Sequence, residues 1–162
     1  MAGVGPLGLQ PLRRSAAILP APPGREVERW PLAGNAAETY YFKPEAGKLM
    51  VSPADETPVD PHDAWPDDMD LAEGLDRFAQ AVDYEVTRVE RSWAGLRTFA
   101  PDRTLVIGFD PTAEGFFWLA GQGGYGIQTA PAAARLAAGL LLEETAPAEI
   151  DPAPFSPTRF RN

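Results

Sequence analysis

The stretch FFWLAGQGGYGIQTAPAAARLAAGLLLEE, residues 116–144, is the most informative part of the chain for its fold. Within this stretch an apolar run precedes the glycines and a helical run follows them. Between them Gly121, Gly123 and Gly126 have the GxGxxG spacing of the dinucleotide-binding fingerprint. That fingerprint requires a strand–helix–strand unit with an acidic residue at the end of the second strand. No strand signal follows the helix here, so the pattern does not indicate a nucleotide site.

Pro131 is a second argument against the fingerprint. If the helix began inside the glycine loop, Pro131 would lie in its interior and break it. Proline is tolerated in a first helical turn, so we predict that the helix begins near Thr129 or Ala130 and ends at Glu143. Its side chains are apolar almost all round, which is typical of a helix buried between layers.

The glycines are compatible with either of two roles. A glycine loop before a helix can bring backbone N–H groups, and the positive end of the helix dipole, close to an anion or a carbonyl that gains negative charge. The same glycines could instead form a tight strand–helix turn that binds nothing.

Composition narrows the function classes. The 162 residues suffice for a domain with a hydrophobic core, and the net charge of −9 argues against a nucleic-acid surface. There is no cysteine, which excludes disulfides and thiolate ligands, and His62 is the only histidine, so we expect neither a metal site nor a catalytic triad. No apolar run is long enough to span a membrane and no signal peptide is evident, so we expect a cytoplasmic protein.

Before the glycine stretch, the pattern predicts short strands. They are expected at residues 15–19, on both sides of a hairpin turn at residues 44–47, in residues 84–99 leading to a glycine-containing bend, and at 104–109 and 115–121 around a turn at Asp110-Pro111. Residues 54–69 are polar and rich in proline, which predicts a loop.

One helix is predicted in the middle of the chain. Asp70 is a candidate N-cap, with Glu73 completing a capping box. An apolar stripe at helical spacing follows, formed by Leu71, Leu75, Phe78, Ala79 and Val82. The order of elements predicts an α+β fold with a largely antiparallel sheet, a mid-chain helix, a terminal helix and an extended Pro-rich tail.

Several stretches resemble one enzyme family. SWAGLRTFAPDRTLVIG, followed by FFWLAGQGGYGIQTAPAAARLAAGLL, is similar to the C-terminal part of the D-amino-acid oxidase family of FAD-dependent oxidoreductases. PLGLQPLRRSAAIL and YYFKPEAGKLMVSPADE resemble strands of the family's substrate domain. The resemblance covers roughly residues 4 to 145.

The resemblance implies a domain organisation. Residues 1–115 would be a partial substrate-binding β-sheet domain, 116–145 the C-terminal strand–loop–helix of the FAD-binding domain, and 146–162 an extended tail. In the family the true GxGxxG lies at the N-terminus of a chain about twice as long. We therefore expect a C-terminal fragment without the nucleotide-binding domain, either truncated or half of a split enzyme. A non-catalytic subunit and a relic without function are the alternatives.

The resemblance also implies a chemistry and a set of site residues. The enzyme would oxidise the C–N bond of an amino acid or N-substituted glycine by hydride transfer to non-covalent FAD. Arg97 matches the arginine that binds the substrate carboxylate, and the alternative for Arg97 is a surface ion pair. Tyr40 and Tyr41 lie on a predicted strand of the substrate domain, where alternation along the strand would point one of them to the substrate. Gln122 replaces a common histidine, and no catalytic base is identified. The glycine loop would face the pyrimidine edge of the flavin through Gly123, Gly124, Tyr125, Gly126, Ile127, Gln128 and Thr129.

Binding partners follow from the same expectation. Without a nucleotide-binding domain, the chain alone is expected not to retain FAD. Leu136 and Leu140 on the terminal helix would then face water, which would favour a partner chain or self-association. The substrate's identity, and the choice between an oxidase and a dehydrogenase, stay open.

Overall fold

The computed structural model describes residues 3–142 and 149–161. They form the predicted α+β fold, with antiparallel strand pairs and two α-helices. The chain divides into two compact units. The first, here called the sheet unit, is Leu12–Leu96; the second, the terminal unit, combines the residues up to Pro11 with those from Arg97 onward.

The main sheet has six strands, which are β1 (Gln10–Leu19), β2 (Ala33–Gly34), β3 (Tyr41–Glu45), β4 (Lys48–Ser52), β5 (Thr57–Pro58) and β6 (Arg91–Phe99). Their order in the sheet is β2-β3-β4-β1-β5, and β6 also pairs with β1.

Two strand predictions need correction. β1 begins five residues before the predicted start at Ser15, and the segment predicted as a loop contains β5. The two differences have one cause, because Leu12 and Arg13 pair with Pro58 and Thr57. A two-residue pairing has no hydrophobic alternation, so the local pattern does not reveal it.

The predicted hairpin is confirmed as β3 and β4. Its register runs from Tyr41 opposite Ser52 to Glu45 opposite Lys48. The turn is shorter than predicted, because it contains only Ala46 and Gly47, with φ of 48° and 75°. Two successive residues with positive φ are typical of a type I′ turn, which matches the twist of antiparallel strands.

Helix α1 (Asp68–Ala81) begins before the predicted cap. The cap is Asp67, whose carboxylate accepts hydrogen bonds from the N–H groups of Met69 and Asp70. The predicted N-cap Asp70 instead forms an ion pair with Arg13 on β1, at 2.5 Å. Asp67, Asp68 and Asp70 lie within four residues of one another. Because Asp70 pairs with the distant Arg13, the cap is formed by Asp67.

The core of the sheet unit lies between α1 and one face of the sheet. Gly74 allows a close approach, since a Cβ there would lie 2.2 Å from the Cβ of Pro53. The predicted apolar stripe of α1 is confirmed at Leu71, Leu75 and Phe78, which are buried. The buried core residues of this unit are Ala17, Leu19, Val27, Leu49, Val51, Leu71, Leu75 and Phe78.

The prediction of a bend at Gly95 is wrong. β6 continues through Gly95, which has no atom within 4 Å of an added Cβ. Residues 84–90, predicted as the start of this strand, precede it.

The terminal unit contains the antiparallel hairpin β7 (Val106–Phe109) and β8 (Phe117–Ala120), followed by α2 (Gly126–Leu141). The predicted start at Thr129 or Ala130 is wrong, because α2 begins at Gly126 and contains Pro131. Pro131 cannot donate a hydrogen bond to the carbonyl of Ile127. Ile127 is 97% exposed, so water can reach that carbonyl and the helix tolerates the proline.

The far end of α2 and the start of the tail are only partly described. The predicted helix end at Glu143 and the predicted boundary at residues 145 and 146 lie outside the described residues. In the described part of the tail, two short 3₁₀ helices, Ala153–Phe155 and Pro157–Phe160, replace the predicted extended chain.

One face of α2 is buried and the other is exposed, which corrects two expectations. Leu136 is 1% exposed and Leu140 is partly buried, and both pack near Ile107 of β7. Among the described residues the helix is therefore not surrounded by other layers, and Leu136 does not face water. The opposite side, here called the exposed α2 face, comprises Ile127, Ala134, Ala138 and Leu141.

Candidate functional site

The loop between β8 and α2 has a backbone that requires glycine. Gly121 and Gly123 have φ of +71° and +54°. The N–H of Gly123 donates to the carbonyl of Thr98 at 2.9 Å. A Cβ at Gly123 would lie 2.3 Å from the ring of Phe99, far inside van der Waals contact. A side chain at position 123 would therefore push the loop away from β6.

The N-terminus of α2 carries no side-chain cap. Tyr125 is the N-cap residue, and its side chain makes no capping hydrogen bond. Its carbonyl accepts the N–H of Thr129 at 3.0 Å, and the hydroxyl of Thr129 at 2.8 Å. The N–H groups of the first turn, on Gly126, Ile127 and Gln128, therefore remain available to a ligand, with the partial positive charge of the helix end behind them.

Arg97 lies beside this loop. Its Nη1 atom donates to the carbonyl of Gly124 at 3.4 Å, and the side chain is partly buried. Among the described residues it has no acidic partner, although other arginines are ion-paired, such as Arg13 with Asp70 and Arg14 with Glu56. A guanidinium without a carboxylate partner is a suitable group for binding a carboxylate ligand.

Phe99 belongs to this site although the sequence motifs did not predict it. It follows Arg97 by two positions on β6, so both side chains point to the same face of the strand. Phe99 packs against Gly123 while Arg97 reaches Gly124, and the backbone of Phe99 forms a β-bridge with Gln122. The spacing from Arg97 is the signal that could have identified it.

The two tyrosines lie in the sheet unit and differ in their surroundings. The ring of Tyr40 packs edge-on against Phe78 of α1, with centroids 6.2 Å apart. Phe42 packs against the same ring at 5.2 Å. Tyr40 and Phe42 therefore face the helix, and strand alternation places Tyr41 on the opposite face of the sheet.

Residues 3–142 and 149–161 contain no group of three or more potential metal ligands. No helix among them has the length and apolarity needed to cross a membrane.

The strand carrying Arg97, the glycine loop and most of α2 lie in a part of the chain that matches a known protein family. A family model described as FAD dependent oxidoreductase matches residues 1–140. The chain belongs to this family. The match covers most of the chain, and it confirms the resemblance seen in the sequence motifs.

Two curated relatives of this FAD-dependent oxidoreductase chain are each 29% identical to it. FAD-dependent oxidoreductase domain-containing protein 1 of Bos taurus aligns over 143 residues, 85% of this chain and 29% of the relative. Hydrogen cyanide synthase subunit HcnC of Pseudomonas aeruginosa aligns over 140 residues, 83% of this chain and 33% of the relative. The chain thus spans about a third of the length of these relatives.

Solved structures agree with the fold. Glycine oxidase from Geobacillus kaustophilus superposes with a TM-score of 0.77 at 26% identity, covering 95% of this chain and 40% of that one. Iminodiacetate oxidase from Chelativorans sp. BNC1 has a TM-score of 0.73 at 23% identity, covering 93% and 41%. The second similarity, at lower identity, supports the fold alone.

Proposed function

We propose that this chain forms the substrate-binding and flavin-facing part of an oxidoreductase that oxidises the C–N bond of an amino acid or N-substituted glycine. The observation that carries the proposal is the position of Arg97. Its guanidinium has no acidic partner in the described chain and lies 3.4 Å from the carbonyl of Gly124, in the loop that leads to the uncapped end of α2. The likeness to glycine oxidase supports this substrate class.

The residues present fit a flavin at the glycine loop. The fit rests on the donors of the first turn of α2, which lack a capping side chain, and on Gly123 and Gly124, where the backbone has no side chain in the way. FAD, when bound, would supply the acceptor for the hydride that leaves the substrate. The segment from Gly123 to Thr129 would hold its pyrimidine edge and favour negative charge there.

Arg97 would position the substrate. Its planar guanidinium can pair with both oxygens of a carboxylate and stays charged at any working pH. Fixing the carboxylate orients the substrate carbon whose C–H bond breaks, which lowers the entropic cost of reaching the reactive geometry. We assign no catalytic base, because a substrate with a neutral amine does not require one.

Tyr41 is the better candidate of the two tyrosines for a substrate contact. Tyr40 contributes its ring to the packing around Phe78. Tyr41 lies on the other face of the sheet, which α1 does not cover. We therefore propose a substrate role for Tyr41 and a packing role for Tyr40.

The nucleotide-binding part of the enzyme would come from polypeptide outside this sequence. We propose that the exposed α2 face packs against it. Ile127 is 97% exposed and Leu141 is 48% exposed, which leaves apolar surface for a partner. A relative described as a subunit of a synthase is consistent with assembly from more than one chain.

The test is a chimera that joins this chain to the nucleotide-binding portion of the Geobacillus kaustophilus glycine oxidase. We expect bound FAD and oxidation of carboxylate-bearing amines. Arg97→Lys should lower kcat/KM for these substrates by roughly ten- to a hundredfold, because a charge-assisted hydrogen bond contributes about 1.5–3 kcal/mol. Arg97→Ala should lower it further, and flavin content should not change.

The matched controls are an amine without a carboxylate and the exposed variant Arg135→Lys on α2. Both should leave the kinetics close to those of the unsubstituted chimera. Equal losses for substrates with and without a carboxylate, or loss of flavin in Arg97→Lys, would show that Arg97 has a structural role and that the assignment is wrong.

A further inference from the structure

A cavity lies wholly within the sheet unit, at the C-terminal end of α1. Its volume is about 290 Å³, near the lower limit for small-molecule sites. Four aromatic side chains contribute to its wall, those of Trp30, Phe42, Phe78 and Tyr84. None of the residues proposed for the flavin site lines it.

The interior of this cavity is apolar and its aromatic rings are held in place. Phe78 is 1% exposed and contacts the rings of Phe42 and Tyr84 at centroid distances of 5.2 and 5.8 Å. The hydroxyl of Tyr84 donates to the carbonyl of Pro20 at 2.8 Å, so this ring cannot swing freely. A preformed aromatic wall of this size suits one branched or aromatic side chain.

Two opposite charges line the same cavity. Arg25 and Asp83 are both exposed, and within the described residues neither is ion-paired. Arg25 offers a fork of N–H donors to a carboxylate. Asp83 offers a carboxylate to a cation.

The C-terminal end of α1 would also favour a positively charged group beside Asp83. The helix ends at Ala81, two residues before Asp83, and its last turn contains no basic residue. Its terminal carbonyls therefore leave partial negative charge without an internal cation. An ammonium group near Asp83 would be stabilised by the carboxylate and by the terminal carbonyls of the helix.

We propose that this cavity binds a free α-amino acid with an apolar or aromatic side chain. The side chain would occupy the aromatic interior, the carboxylate would pair with Arg25, and the ammonium would pair with Asp83. This site is separate from the proposed flavin site and does not require FAD. It gives the chain a place to sense or retain an amino acid without oxidising it.

The test follows the indole N–H signal of Trp30 by NMR in the full chain while L-phenylalanine is added. We expect a saturable shift. Glycine, which lacks a side chain, should cause none. Phenylethylamine lacks the carboxylate and 3-phenylpropionate lacks the ammonium, so each should bind more weakly than phenylalanine.

Substitutions at the cavity rim make the test specific. Arg25→Gln should weaken phenylalanine binding by roughly three- to tenfold, as expected for a partly exposed charge pair, and leave phenylethylamine unaffected. Asp83→Asn should weaken phenylalanine to a similar degree and leave 3-phenylpropionate unaffected. Arg29→Gln and Glu85→Gln, which are exposed and do not line the cavity, are the matched controls.

Two outcomes would overturn the proposal. One is the absence of any Trp30 shift at about 10 mM phenylalanine, roughly ten times a millimolar dissociation constant. The other is binding that Arg97→Lys abolishes while Arg25→Gln and Asp83→Asn do not change it, which would assign the amino acid to the proposed oxidase site. Failure of the flavin chimera would leave this experiment unaffected.

Discussion

At the scale of single residues, the glycine loop shows why residue type matters most where two segments touch. Gly123 has positive φ, donates its N–H to Thr98 and lies against Phe99. Gly95 on β6 has open space around it. The two glycines look alike in the sequence, and their different surroundings predict different costs of substitution.

We expect Gly123→Ala to destabilise the chain by about 2 kcal/mol or more, because the methyl group would meet the Phe99 ring and the backbone would be strained. Gly95→Ala should change stability by less than about 1 kcal/mol, since alanine is tolerated in a strand. Urea unfolding measures both. If Phe99→Ala did not reduce the cost of Gly123→Ala in a double-mutant cycle, the proposed contact would not be its cause.

Asp110 is a second residue whose role depends on its surroundings. It is 5% exposed and accepts hydrogen bonds from Thr112, Trp118 and Arg161. These hydrogen bonds hold the pKa of the Asp110 carboxyl well below the ordinary range for aspartate, and the bond from Thr112 contributes most. Asp110 is therefore ionised at neutral pH, where its carboxylate forms an ion pair with Arg161 of the tail at 2.9 Å.

The lowered pKa of Asp110 predicts a pH dependence of stability. Its contribution is fully present above the unfolded-state pKa of about 3.9 and is lost as pH falls from there toward the folded-state pKa. Asp110→Asn should lower the melting temperature at pH 7 by on the order of 5 °C or more, and the difference from the unsubstituted chain should shrink near pH 3. The exposed variant Asp63→Asn is the control. A difference that grows toward low pH would contradict this assignment.

At the scale of elements, α2 is notable because it contains a proline in its second turn. The helix begins at Gly126, so Pro131 occupies its sixth position. The buried stripe around Leu136 and Ala137 holds the helix on β7 and offsets the missing hydrogen bond. Packing thus overrides the local preference of proline.

Pro131→Ala should therefore stabilise the chain. The new N–H can donate to the carbonyl of Ile127 and the steric clash is removed, so we expect a gain of about 1–3 kcal/mol in the free energy of unfolding. Pro152→Ala, just before a 3₁₀ helix, should give no such gain. If Pro131→Ala destabilised the chain, the helix would not run through residue 131 as described.

At the scale of the whole molecule, the first question is whether the chain holds FAD by itself. The described residues present donors for one edge of a flavin, but no strand follows α2 among them, so the glycine loop does not belong to the strand–helix–strand unit that binds a diphosphate. We expect the purified chain to be colourless and to show no flavin absorbance after incubation with FAD and gel filtration. A yellow protein with one flavin per chain would contradict the proposed need for a further nucleotide-binding part.

The second question is self-association. The exposed α2 face carries Ile127 and Leu141, and the terminal unit also exposes Phe109 and Leu119. We expect dimers or larger species in sedimentation velocity, and Leu141→Lys should shift the distribution toward monomer. Leu32→Lys, at a residue 64% exposed in the sheet unit, is the matched control. A monomer at all concentrations would contradict the expectation.

The sequence by itself determined the family, the α+β class and the type of most elements. These features are local: the stripe of α1, the Trp-x-Gly-Leu-Arg motif and the glycine pattern each lie within a short segment. Hydrophobic periodicity and turn residues report such segments well, because neighbours in the chain are also neighbours in the element.

Only the tertiary structure decided which residue of each segment takes each role. The ion pair with Arg13 left Asp67, and not Asp70, to cap α1, and the ring of Phe78 placed Tyr40 on the helix face. Packing against β7 let α2 begin before its proline. Each of these outcomes depends on a contact between residues far apart in sequence. Such contacts contribute free energies similar in size to local conformational preferences, so the sequence of one segment cannot predict which of them prevails.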